Sequence, residues 1–226
     1  MPTTVDDARS TQVVEFADRR AAGRALASAL RRFSHDNPIV LALPRGGVPV
    51  AHEVAEALDA PLDVVIVRKI GAPNHTELGL GAIVEGADPE LVLNDEIVRT
   101  LHVSPAYIED ERQRQLAEIE RRRTLYRRGR APIPLEGRVV IVVDDGIATG
   151  GTIKAVLGAL ARAGATRRIL AIPVAPADVL AELEPLADEI VCLASLTPFH
   201  AVGLHYRDFR QTTDSEVVAI LAEHRR

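Results

Sequence analysis

VVIVVDDGIATGGT, residues 139–152, passes from an unbroken apolar run into two adjacent acids, then a turn of small residues, then the helical stretch IKAVLGALARAG. An apolar run without alternation is what a strand covered on both faces looks like, as in a parallel sheet. The same order recurs upstream: IVLAL (39–43), then PRGG, then VPVAHEVAEAL (48–58), which reads as a helix. LDVVIV (62–67), RILAIPV (168–174) and EIVCLASL (189–196) read as further buried strands, and ELVLN (90–94) as a short one. Residues 18–33 place Ala22, Leu26, Ala29, Leu30 and Phe33 on one helical face behind an Asp18 N-cap. Ser104-Pro105 opens a charged helix running to about Arg128, and DSEVVAILAEH closes the chain as another. The Gly- and Pro-rich stretch 68–81 reads as a mobile loop. Strands alternating with helices predict an α/β fold: an open, mostly parallel sheet flanked by helices. Without a repeat or a long linker, residues 1–226 read as one domain with a helical excursion at 95–130.

The turn after Asp144 and Asp145 carries the chemistry. Gly146, Gly150 and Gly151 let the backbone approach a ligand, Thr149 and Thr152 add hydroxyls, and the helix start adds positive potential. Such a nest suits a phosphate monoester. Two carboxylates beside it would repel a bare phosphate and call instead for sugar hydroxyls or a hydrated cation. A ligand with a phosphate at one end, a vicinal diol next to it and a metal-bound pyrophosphate beyond satisfies every part. Other nucleotide motifs fit worse. A Walker A loop needs Lys where Thr152 stands, and no G-x-G-x-x-G follows a strand.

Composition narrows the classes. The 226 residues carry a net charge of −5 and are 47% hydrophobic, the balance of a globular chain. Only Lys69 and Lys154 are lysines, so arginine supplies nearly all of the 27 basic residues. The acidic balance argues against a nucleic-acid coat, and the 3% aromatic content against a base-stacking platform. RRRTLYRRGR (121–130) reads as the solvated end of the charged helix, with RNA contact as the lesser reading. Cys192 stands alone, which excludes an internal disulfide, and it reads as a core thiol. HEVAE (52–56) has Glu56 where a metalloprotease helix needs its second His, so the segment does not support zinc. MPTTVDDARS lacks the basic start of a signal peptide and no stretch reaches a membrane-spanning length, so the expected location is the cytoplasm.

VVDDGIATGGT is similar to the phosphoribosyl-pyrophosphate (PRPP) signature of type I phosphoribosyltransferases, most of all to its adenine-type version. More loosely, residues 13–221 resemble that family, and in particular a group of bacterial phosphoribosyltransferase-like proteins. The resemblance implies that Asp144 and Asp145 hold the ribose hydroxyls and that Ala148, Thr149, Gly150, Gly151 and Thr152 wrap the 5-phosphate. It places LPRGG (43–47) as the pyrophosphate loop, with Arg45 and the amides of Gly46 and Gly47 facing pyrophosphate and Arg68 and Lys69 approaching it. Asp144, Asp145, Arg45 and Lys69 are thus the candidate catalytic residues. GAPNHTELGLG (71–81), with His75 and Glu77, takes the place of a closing loop. Residues 196–212 would form a hood over the acceptor base, where Phe199 or Tyr206 either stacks on a planar ring or belongs to the core. The implied reaction moves the 5-phosphoribosyl group of PRPP to a purine- or pyrimidine-like nitrogen base, with Mg²⁺ and release of pyrophosphate. The implied partners are PRPP, a small heterocyclic acceptor and a second copy of the chain, as a homodimer. The same pocket would also serve a regulator that binds PRPP or a nucleotide without turnover, or a hydrolase or phosphorylase of phosphoribosylated compounds.

Overall fold

A computed structural model describes residues 15–73, 75–86 and 89–224. In chain order the elements are α1 (Arg19–Leu30), β1 (Ile39–Ala42), α2 (Gly47–Leu58), β2 (Leu62–Val64), β3 (Val67–Ala72), β4 (His75–Val84), β5 (Glu90–Leu93), α3 (Asp95–Thr100) and α4 (Pro105–Arg127). The second half continues with β6 (Val139–Val143), α5 (Gly151–Arg162), β7 (Arg167–Pro176), α6 (Ala177–Leu183), β8 (Glu189–Leu196) and α7 (Asp214–Glu223). Single 3₁₀ segments lie at Arg31–Asp36 and Val202–His205.

The main sheet has the order β2-β1-β6-β7-β8, every pair parallel. Its strands are the apolar runs of the sequence: β1, β2 and most of β6 and β7 are buried on both faces, while the edge strand β8 is largely half-buried. Ala42, Ile141 and Val143 pack toward α1, α2 and α7, while Leu41, Val140 and Val142 pack toward α5 and α6. Strand order reverses between β1 and β6, the place where open α/β sheets build a ligand crevice at the carboxyl ends of their strands. Local signals hold at the helix starts. Asp18 accepts a hydrogen bond from the Ala21 amide, Ser104 from the Tyr107 amide, and Thr213 and Glu216 form a reciprocal capping box on α7. None of the described helices is long and apolar enough to cross a membrane.

Two expectations change. LDVVIV is not one strand: β2 ends at Val64, and from Val67 the chain enters a second, antiparallel sheet of order β3-β4-β5. Residues 68–81 are not a loop but most of the β3–β4 hairpin of that sheet. The misleading signal is glycine. At Gly81 an added Cβ would lie 2.0 Å from the Val92 carbonyl oxygen, so glycine here marks close backbone approach across the β4–β5 pair. His75 and Glu77 fall within β4, and their side chains lie outside the described residues.

The excursion at 95–130 is helical as expected, and α4 packs along the small sheet. Its end, 121–130, is mostly exposed as expected, with two exceptions. Tyr126 and Arg127 are buried. Arg127 donates to both Glu85 carboxylate oxygens at 2.6 and 2.8 Å and to the Val64 carbonyl at 2.8 Å, with Asp63 at 3.4 Å. One guanidinium therefore ties α4 to the edge of the main sheet and to the end of β4.

Candidate active site

β6 delivers Asp144 and Asp145 to the carboxyl end of the sheet, and β1 delivers the PRGG turn beside them. The two loops are bonded together, the Leu43 amide donating to the Val143 carbonyl at 3.0 Å. The Pro44–Arg45 peptide is cis. A Cβ on Gly46 would lie 2.0 Å from Asp145 Oδ2, and one on Gly47 would lie 2.7 Å from the Val143 carbonyl oxygen. The glycines of PRGG are therefore what lets the acid pair sit against this turn. The Gly47 amide is spent on the Leu43 carbonyl at 3.0 Å, so Gly47 serves by close packing rather than as a free donor.

The carboxyls are electrostatically loaded. Burial and the neighbouring Asp145 charge push Asp144 well above the usual carboxylate range. Burial also raises Asp145, against the opposing pull of Arg19. Arg19 Nε donates to Asp145 Oδ2 at 2.7 Å, its guanidinium lies 4.0 Å from the centre of the Phe209 ring, and it also donates to the Arg210 carbonyl. Within the chain itself the Asp144 Oδ1 atom accepts only the Asp145 amide, at 2.8 Å, among the bonds of the described residues. Such a pair gains from hydroxyl donors or a cation. The oxygen-only donors here suit a hard cation such as Mg²⁺ shared with phosphate oxygens.

Beyond the acids, Ile147 is buried and its amide donates to the Val174 carbonyl, anchoring the turn. Ala148, Thr149 and Gly151 are exposed. Gly150 has φ of +72° and starts α5 without a side-chain cap, leaving the amides of the first helical turn facing outward. An added Cβ at Gly151 would meet nothing within 4 Å. Thr149, Gly151 and Thr152 line a cavity of about 580 Å³ with Lys69 and with Leu78 and Gly79 of the β3–β4 hairpin. The nest and Lys69 are thus brought together.

Other predicted residues are placed differently. Arg68, one position from Lys69 on β3, points to the opposite face, where Nε donates to Gln115 of α4 at 2.8 Å. Arg45 is partly exposed, with Nη1 3.8 Å from Asp214 Oδ1 at the start of α7. Tyr206 is not a free stacking ring. It is buried, tilted against Phe16 at 5.6 Å and stacked on Phe209 at 5.0 Å, and its hydroxyl donates to the Asp145 carbonyl at 2.6 Å. Phe199 is half-buried and stacks on His205, ring centres 5.7 Å apart. The sequence reading missed Arg19, Tyr206 as a support for Asp145, and Asp214. Arg19 stands 126 positions from its partner, and no local spacing signals it.

Residues 13–204 match the family model described as phosphoribosyl transferase domain. Curated proteins from two strains of Mycobacterium tuberculosis, each named "Putative phosphoribosyl transferase", are 51% identical over 206 residues, covering 91% of this chain and 46% of theirs. The chain thus spans about half the length of these curated relatives. The crystal structure of a Thermus thermophilus protein is 44% identical, with a TM-score of 0.78 and coverage of 92% of this chain and 98% of that one. A Neisseria gonorrhoeae hypothetical protein, crystallised with bound ppGpp, shares the fold at 15% identity and a TM-score of 0.51, covering 92% of this chain and 94% of that one.

Proposed function

The chain belongs to the phosphoribosyltransferase family, and from that premise we propose that it transfers the 5-phosphoribosyl group of PRPP to a nitrogen heterocycle, releasing pyrophosphate. The observation that carries this reading is the acid pair seated against the PRGG turn, with the uncapped start of α5 adjoining it. In this reading Ala148, Thr149, Gly150, Gly151 and Thr152 receive the 5-phosphate, and Asp144 and Asp145 receive the two ribose hydroxyls. Arg45, the Gly46 amide and Lys69 face the pyrophosphate, while Gly47 provides the close approach. Arg68 is engaged by Gln115 and is left out of the set.

The C1–O bond breaks with its electron pair leaving on pyrophosphate, and the acceptor nitrogen forms the new bond to C1 as its N–H proton passes to solvent or to the departing pyrophosphate. Positive charge grows on the ribose ring next to Asp144 and Asp145, and negative charge grows beside Arg45 and Lys69, so both are met by fixed groups. Mg²⁺, held with the pyrophosphate oxygens near the acid pair, would supply charge neutralisation. The nest fixes the phosphate end of the donor, and such positioning lowers the barrier without any covalent intermediate. A purine- or pyrimidine-like acceptor and a homodimeric assembly complete the reading.

Pyrophosphate release from PRPP and Mg²⁺ across a panel of nucleobases tests it. Release with one base class, abolished in Asp144→Asn/Asp145→Asn, is the expected result. PRPP binding without turnover on any base would move the assignment to a PRPP-sensing regulator. Ribose 5-phosphate formed without an acceptor would move it to a hydrolase.

A further inference from the structure

Far from the acid pair, α2 and α7 bring three metal-ligating side chains together. His52 and Glu56 lie one helical turn apart on α2, and His224 caps the C-terminal end of α7. One donor atom from each lies within 4.8 Å of the other two. His224 Nδ1 is 2.8 Å from Glu56 Oε1, and its Nε2 is 2.8 Å from the Ala60 carbonyl oxygen. The His52 ring stands edge-on to that of His224 at 5.9 Å. His52 is only 6% exposed, and its enclosed Nδ1 has no hydrogen-bond partner among the described residues. Glu56, by contrast, has a side chain 59% exposed. Glu56 and His224 open onto a cavity of about 650 Å³ that also reaches Asp63 and Arg127.

We infer that His52, Glu56 and His224 form a binding site for a zinc-class divalent transition metal. Two imidazoles and one carboxylate are the donor set of such ions rather than of Mg²⁺ or Ca²⁺, which prefer oxygen alone. The contact of His224 Nε2 with the Ala60 carbonyl is the outer support that orients a ligating imidazole whose Nδ1 faces the metal. The carboxylate adds the negative charge that two neutral imidazoles lack, and the cavity leaves a coordination position for water. The sequence hides this site. HEVAE supplies His52 and Glu56, but the third ligand lies 168 positions beyond Glu56.

The site is remote from the reaction. Glu56 lies nine residues into α2 from Gly47, about 14 Å along the helix axis, and Ala60 precedes β2 at the amino end of the sheet. A metal here would fasten the end of α7 to α2. The other end of α7 is already held, Asp214 accepting from Tyr126 at 2.6 Å and from Arg121 at 3.1 Å.

Calorimetric titration of the metal-free full chain with Zn²⁺ tests the inference, with the Cys192→Ser variant as a control for thiol binding. The expected result is one equivalent bound with a Kd below about 1 μM, unchanged in Cys192→Ser. His224→Ala and Glu56→Gln should each bind about 100-fold more weakly or worse, since loss of even an outer partner of a ligand costs roughly 10–100-fold. Glu56 is exposed and the His224 side chain is 11% exposed, so a cooperative melt of each metal-free variant is needed to establish that it is folded. Co²⁺ in place of Zn²⁺ should give visible absorption that both variants lose. No binding in the micromolar range, or binding unchanged in both variants, overturns the inference and leaves His224–Glu56 as an ordinary ion pair.

Discussion

Asp144 is held in a state that binding would relieve. Its carboxyl titrates well above 3.8 because burial and the Asp145 charge both disfavour the anion. An acid with a raised folded-state pKa favours folding in its protonated form, and that contribution is lost as pH rises from about 4 through the raised value. Asp144→Asn removes the titration, so its melting temperature should exceed that of the wild type at pH 7, with the gap closing toward pH 4. The same variant should lose affinity for PRPP, the pattern of a site whose function costs stability. Thermal melts across pH check both the sign and the window. Gly46→Ala tests the neighbouring turn. With a Cβ 2.0 Å from Asp145 Oδ2, the PRGG turn and the acid pair cannot keep their present contact. That variant should stay folded and lose 5-phosphoribosyl transfer by roughly 10²-fold or more, the scale of a 1 Å misplacement in a positioned site. The acid pair and the Thr-Gly turn stand out in the sequence through local spacing, whereas the packing of Gly46 and Gly47 against Asp145 and Val143 is a long-range contact that it does not show. Arg19 was not legible either, since what brings it to Asp145 is the packing of α1 on the sheet and of Phe209 beneath its guanidinium.

Elements divide in the same way. The core strands β1, β6, β7 and β8 were readable as apolar runs, and α1 and α4 from their caps, since both signals come from neighbouring residues. The β3–β4 hairpin was not, because Gly79 and Gly81 look like loop residues until the cross-strand approach of Gly81 to Val92 is seen. Within the mostly exposed end of α4, the burial of Arg127 escaped the sequence for a related reason. An arginine-rich run looks solvated, yet burial of Arg127 depends on acids supplied by Asp63 and Glu85 from other elements. Burial alone would lower the Arg127 pKa, and its hydrogen bonds to Glu85 hold it raised instead. Arg127→Met keeps the apolar bulk but leaves both acids with backbone amides alone and no countercharge, so it should destabilise the protein by about 3–5 kcal/mol. Denaturant unfolding measures this, and a loss below about 1 kcal/mol would show that the acids find water or other partners.

Across the whole molecule, strand order does the assembling. Because β1 and β6 are neighbours in the sheet though about a hundred residues apart in sequence, PRGG and DDGIATGG end on one edge. The small sheet faces the turn and the start of α5, where Lys69, Thr149 and Thr152 line one cavity. The stretch 196–212, expected as a hood, is the part least written in the sequence: Tyr206 supports Asp145, and Phe199 is paired with His205. The most direct measurement is therefore of the donor alone. Titrating the chain with PRPP in the presence of Mg²⁺ should give saturable heat at one site per chain and a higher melting temperature, both lost in Asp144→Asn/Asp145→Asn. Absence of heat and of any melting shift, or equal binding by the double variant, would contradict the assignment of this crevice.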